Sequence, residues 1–204
     1  MTKGYSQVEG INYEDTFAPV TRYSSFRAIR SLVAQMGWKI HQMDVKITFL
    51  NGVIDEEVYI KKLEGFETFD QKSHVCRLKR ALYGLNQAHR AWNTRIDNYL
   101  TSLGFTKSEV NANLYHILVE CKLLIIVLYV DYFILTGDEQ LIISCKEDLA
   151  REFEMKNMGL MHCFLGLEIW QGDGELFVSQ GKYTKMRYCR DSRWSVVNPW
   201  RQLW

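Results

Sequence analysis

The stretch Leu123–Asp138 reads LLIIVLYVDYFILTGD. Eight apolar residues run unbroken to Asp131, and a second apolar run begins at Tyr132. The first run is far short of the ~20 residues needed to cross a bilayer, so it reads as a buried strand. Leu123–Val130 and Phe133–Thr136 then form a hairpin bent at Asp131 and Tyr132. A carboxylate at a hairpin tip stands clear of the sheet and can reach a ligand. The apolar strands behind it hold it rigid. Taken alone, however, an Asp at such a place is an ordinary turn residue.

A second carboxylate gives the first a chemistry. In HQMDVKITFLNG, Asp44 lies at the end of a strand expected over Trp38–Val45. Two strand-end carboxylates side by side repel each other unless a cation lies between them. Mg²⁺ favours a few carboxylates together with substrate phosphates and water. Two such ions ~4 Å apart clamp the attacking and leaving oxygens of an in-line phosphoryl transfer. Spacing alone leaves the alternative open that Asp44 and Asp131 are unrelated turn residues.

Around these strands the chain alternates between two periods. Apolar stripes with a period near 3.6 predict three helices. One is capped by Ser25 and closed by Gly37, one spans Ala88–Leu103, and one spans Glu139–Glu154. Further strands are predicted over Val58–Ile60, Val75–Leu78, Leu114–Val119, Cys163–Trp170 and Glu175–Val178. Helices interleaved with strands and short turns predict an α+β fold, a mostly antiparallel sheet backed by helices.

The 204 residues are 47% hydrophobic and carry a formal charge of +1, so no bulk basicity points to nucleic acid. The charge is patchy all the same. No acidic residue falls between Asp70 and Asp97, where Lys72, Arg77, Lys79, Arg80, Arg90 and Arg95 interleave with Tyr83 and Trp92. Such a run reads either as a solvated face or as a surface that grips a phosphate backbone. The cysteine count is odd, five, with no CxxC, which predicts a reducing, intracellular setting and no disulfide framework. His74, Cys76, His162 and Cys163 lack the spacing of a tetrahedral zinc site. The N-terminus has no apolar stretch of the signal-peptide kind. A cytoplasmic or nuclear place, or an organelle, suits the chain, with no membrane partner.

Six blocks in order carry a resemblance. They are KGYSQVEGINYEDTFAPVTRYSS from Lys3, QMDVKITFLNG from Gln42, EVYIKKLEGF from Glu57, RALYGLNQAHRAW from Arg80, LYVDYFILTGD from Leu128 and EFEMKNMGLMHCFLGLEI from Glu152. The chain resembles the reverse transcriptase of copia-type retrotransposons, an RNA-directed DNA polymerase encoded within a Pol polyprotein. The resemblance implies a right-hand polymerase palm with part of the fingers over 1–184. It implies that Asp44 and Asp131 are the catalytic, metal-binding aspartates, with Mg²⁺ as cofactor and Mn²⁺ as a substitute. Phe49 matches the aromatic residue under the incoming sugar, and Gln87 a residue that contacts template and nucleotide. Arg77, Lys79, Arg80 and Arg90 fall on the implied nucleic-acid surface. The partners implied are an RNA or DNA template–primer and a dNTP. Lys156 aligns near a lysine that protonates departing pyrophosphate, but it reads better as a surface side chain.

The chain also departs from the pattern. Where the family has Tyr-Val-Asp-Asp, this sequence has Tyr129-Val130-Asp131-Tyr132. A single-base change converts an Asp codon to a Tyr codon, and the tip loses one charge. Thr48 stands where the family has Ala, Leu63 and His89 where it has Pro, and Asn86 where it has Lys. The basic fingers strand of the family is expected upstream of Lys3. From Lys185 to Trp204 the resemblance fails, and three of the six tryptophans crowd there. Codons permitted for 185–204 can, in a frame shifted by one base, spell a continuation like the family's, so this segment is expected to be a frameshifted, disordered tail. Three outcomes are open: an impaired or inactive polymerase fragment, a working one, or a non-catalytic nucleic-acid-binding or interaction module built on the Lys72–Arg95 surface.

Overall fold

The computed structural model describes residues 4–19, 23–60, 75–172 and 174–188. Its helices are α1 (Tyr23–Met36), α2 (Ala88–Ser102), α3 (Glu139–Glu152) and α4 (Gly181–Tyr188). Its strands run in chain order as β1 (Ile40–Val45), β2 (Tyr59–Ile60), β3 (Cys76–Arg77), β4 (Thr106–Lys107), β5 (Leu114–Val119), β6 (Lys122–Tyr129), β7 (Tyr132–Gly137), β8 (Met155–Leu160), β9 (Cys163–Phe164), β10 (Leu167–Gln171) and β11 (Leu176–Ser179).

Six strands form one antiparallel sheet in the order β4-β5-β6-β7-β1-β8. The order places β1, with Asp44, between β7 and β8. Along β6, Leu124, Ile126 and Leu128 enter one core with α2 and α3. Ile125 and Val127 enter a second core with α1 and the β9–β10 hairpin. Burial on both faces is why this strand is apolar without alternation. The fold is α+β, a mostly antiparallel sheet backed by helices, as the sequence predicts.

The helices start and stop by local chemistry. The Asp138 carboxylate accepts from the Gln140 and Leu141 backbone N–H groups at 3.0 and 3.2 Å and caps α3. Gly37 and Gly104 follow α1 and α2.

Two sequence expectations need correction. The hairpin bend is not at Asp131 and Tyr132. Tyr129 pairs directly with Tyr132, so the loop is Val130–Asp131 and Tyr132 is already a strand residue. A two-residue loop with positive φ at its first position alone matches the twist of the flanking strands. The expected strand Cys163–Trp170 is likewise a hairpin, turning at Leu165 and Gly166 with φ of 49° and 78°. Only one of that pair is glycine, so the turn leaves a faint sequence signal. Strand β8 escaped the sequence reading altogether, because a register shift opposite Gln42 and Met43 and Gly159 blur its alternation.

Helix α4 carries the chain past Thr184 to Tyr188. The remainder of the expected frameshifted tail, and Leu63, Lys72 and His74, lie outside the described residues. The four described cysteines, Cys76, Cys121, Cys145 and Cys163, are free thiols. Among the described residues no helix is long and apolar enough to cross a membrane.

Candidate active site

Strand β1 ends beside the tip of the β6–β7 hairpin. Asp44 stands directly across from Tyr132 on one side and from Lys156 on the other. The next step along β1 is held by the Val45 N–H, which donates to the Asp131 carbonyl at 2.9 Å. Asp44 and Asp131 therefore occupy adjacent strand ends. Their charges act on each other. Burial raises the Asp131 pKa above the usual carboxylate value, and the Asp44 charge raises it further against a backbone hydrogen bond that lowers it. The Tyr132 phenol is raised too, first by the Asp131 charge, then by burial and by Asp44.

The backbone on both sides of the pair is strained. Val130 has φ 56° and Ile47 has φ 48°. Left-handed backbone is costly for a β-branched side chain. Among the described residues these are the only β-branched ones with positive φ. Each lies within a few residues of one aspartate, and strain of this kind gathers where a site is held against its own preference.

Helix α2 holds the tip. The buried Trp92 donates its indole N–H to the Val130 carbonyl at 2.8 Å. The ring also packs edge-on against Phe153, with centroids 5.4 Å apart. Gly52 lets the Thr48–Asn51 3₁₀ turn approach α2, since a Cβ there would lie 2.8 Å from the Trp92 backbone nitrogen. Both carbonyls of the Val130–Asp131 loop are thus held, one from α2 and one from β1. The sequence reading placed Trp92 on the apolar stripe of Ala88–Leu103 and among the cations of the basic run, not at the hairpin tip. A buried indole needs an acceptor, and that need is the signal that points to this contact.

Thr48, in the place of the expected Ala, fits where it stands. It is buried and donates to the Val45 carbonyl at 2.9 Å. Phe49 is buried as well, with its ring edge-on to Tyr83 at 4.6 Å and to His89 at 4.5 Å. Gln87 is fully buried. Its side-chain carbonyl accepts from Gln7 at 3.0 Å, and its amide donates to the Asn12 carbonyl at 3.2 Å. Gln7 also accepts from the Asn86 backbone N–H at 2.9 Å, so the N-terminal segment lies across this helix start. Lys156 is exposed.

The basic run is largely matched by acids from elsewhere in the chain. Arg77 pairs with Glu57 at 3.2 Å, Arg90 with Glu56 and Arg95 with Glu152. Among the described residues the Arg80 side chain donates to the Leu50 carbonyl at 3.5 Å and has no carboxylate partner, and Lys79 is exposed.

The described residues hold no group of three or more His, Cys, Asp or Glu placed to bind a metal. A pair of carboxylates in mutual repulsion still fits one hard divalent cation that takes its other ligands from phosphate and water. The third oxygen at the tip is a phenol.

A sequence profile for reverse transcriptase (RNA-dependent DNA polymerase) matches residues 1–190. The chain is 37% identical over 187 residues to the retrovirus-related Pol polyprotein from transposon TNT 1-94 of Nicotiana tabacum. The chain belongs to the reverse transcriptase family of copia-type retrotransposons. Within this family it is also 35% identical to the Pol polyproteins of transposons RE1 and RE2 of Arabidopsis thaliana. Each of these three alignments covers 90% of this chain, but the chain spans only 14% of the TNT 1-94 polyprotein and 13% of the other two. No solved structure matches it. The reverse transcriptase match runs a few residues beyond Thr184, where the sequence reading ended the resemblance.

Proposed function

We propose that this reverse transcriptase-like domain descends from an RNA-directed DNA polymerase that extends a primer on an RNA or DNA template, and that this copy is impaired or inactive. The observation that carries the reading is the strained, doubly held hairpin tip that keeps Asp131 beside Asp44. In this reading the six-stranded sheet is the palm, and the N-terminal segment belongs to partial fingers. Asp44 and Asp131 would hold Mg²⁺, or Mn²⁺ in its place, which when bound neutralises charge on the reacting phosphate.

The protein's own groups set the balance of that site. Two carboxylates supply hard oxygen donors. Tyr132 keeps its proton, because both aspartates oppose its ionisation. The tip therefore carries one negative charge fewer than the family pattern, and its new ring is bulkier. Phe49 and Gln87 are the proposed dNTP contacts. Phe49 lies behind Tyr83 and His89, and Gln87 beneath the segment with Gln7 and Asn12. Reaching either one requires those covers to move. The reading as a non-catalytic nucleic-acid module on the basic run finds less support, since Arg77 and Arg90 already face glutamates.

Primer extension tests the proposal. The natural chain and Tyr132→Asp are compared on an RNA template with Mg²⁺ and then Mn²⁺. We expect the restored carboxylate to raise the rate by ~10²-fold or more, the scale of one preorganised electrostatic group. Equal extension by both chains would overturn the claim of impairment. No extension by either, with no Mn²⁺ bound by either, would overturn the polymerase reading itself.

A further inference from the structure

A cavity of about 380 Å³ lies between the main sheet and the β9–β10 hairpin. That is the size of a small-ligand site. The register of the sheet explains the space. Gln42 and Asp44 alternate along β1 and so share a face, and Tyr132 stands directly across from Asp44 on that face. On the other side of β1, the residue across from Gln42 is Gly159, which brings no side chain to fill the gap. The register shift at this point leaves Met158 without a partner on β1. Met158 forms one part of the rim, and Leu165, at the turn of the hairpin, forms another. Both are about half exposed.

The walls are aromatic. The buried Phe164 ring meets that of Tyr129 edge-on, with centroids 5.3 Å apart, and Tyr132 adds a third ring. No Asp, Glu, Lys or Arg belongs to the lining. One polar group is held deep in it. Gln42 lines the cavity and is only 8% exposed, yet its side-chain amide has no hydrogen-bond partner among the described residues. A buried amide in that condition is costly, and a ligand that supplies the missing partners removes the cost. A primary amide presents a carbonyl acceptor and an N–H donor side by side. Its complement is a lactam edge, with an N–H and a carbonyl in the same order. A charged ligand is disfavoured on both signs. An anion would meet Asp44 and Asp131, which flank Tyr132, and a cation would find no carboxylate in the lining.

We propose that this cavity binds a neutral, planar aromatic lactam, with Gln42 pairing its polar edge and Tyr129, Tyr132 and Phe164 enclosing its rings. Tyr132 makes the site particular to this chain. An aspartate there would remove one wall and set a charge against apolar side chains. The proposal is independent of the polymerase reading.

Alkylation of the exposed, free Cys163 thiol, which lines the cavity, reports its occupancy. The full chain is treated with iodoacetamide across a titration of carbostyril, a bicyclic aromatic lactam, and each cysteine is read by peptide mass spectrometry. Cys163 should be protected saturably, while Cys121, exposed at the β5–β6 turn, should react as before. The O-methyl ether of carbostyril keeps the rings but lacks the lactam N–H. It should bind about tenfold more weakly, the scale of one unmatched hydrogen-bonding edge. Gln42→Leu should weaken carbostyril by about the same factor and leave the ether unchanged. Tyr132→Asp should weaken both compounds. Met158→Trp is the companion variant. It fills the cavity from the half-exposed rim without entering the core, and should abolish protection even if Gln42→Leu folds poorly. Cys163 left unprotected by carbostyril at its solubility limit would overturn the proposal. So would equal affinity for the two compounds, or equal protection of Cys121. No template, nucleotide or metal is present, so failure here is distinct from failure of primer extension.

Discussion

The hairpin tip and the basic run both attract attention in the sequence, and tertiary structure treats them in opposite ways. At the tip, three long-range features converge on two residues. Trp92 holds the Val130 carbonyl, Val45 holds that of Asp131, and Asp44 adds its charge. In the basic run, long-range contacts cancel what the local sequence offers. Glu56, Glu57 and Glu152 come from other segments to meet Arg90, Arg77 and Arg95. A gap in acidic residues along the chain is therefore no gap in space. A lone carboxylate among apolar residues, by contrast, stays conspicuous: among the described residues the charge that acts on Asp131 is that of Asp44.

The largest effect that could break this contrast is at the indole. Trp92→Phe keeps a ring but removes the N–H, and leaves the buried Val130 carbonyl without its donor. Destabilisation by ~1–3 kcal/mol is expected, read from urea unfolding. Loss of stability much smaller than this would mean that the tip does not depend on α2. A second, smaller effect concerns charge. The folded-state pKa of Asp131 is raised, so its ionisation opposes folding. The sign follows: the penalty is absent below the ordinary carboxylate pKa and grows as pH rises through the folded value. Asp131→Asn should accordingly raise Tm at pH 7, with the gain fading toward pH 3. A gain that persists at acid pH would point to packing and not to charge. The smallest effect belongs to the basic run. Arg77 and Glu57 are both well exposed, at 58% and 61%. Arg77→Ala should cost at most ~1 kcal/mol and leave the tip untouched, measured by thermal unfolding. A larger loss would show that this surface is part of the fold's support.

Much of the architecture was legible because it is local. The stripes of α1, α2 and α3 follow from neighbours within a turn or two. The β9–β10 turn was not, since Leu165 adopts a left-handed backbone with no residue preference to announce it. Strand β8 was missed because its alternation is interrupted. At the site, Asp44 and Asp131 stood out as strand-end carboxylates. The roles of Trp92 and Ile47 did not, because hydrogen bonds to a distant carbonyl and backbone strain leave no mark in composition.

The sequence by itself determined the α+β class, the two apolar halves of the hairpin, the family and the missing second aspartate at Tyr132. Each of these depends on residue order or short-range period. Only the tertiary structure decided that Gln87 is buried and that most arginines of the basic run are paired. The physical reason is that pairing and burial depend on which distant segments meet, and electrostatic partners are chosen by distance in space, not along the chain.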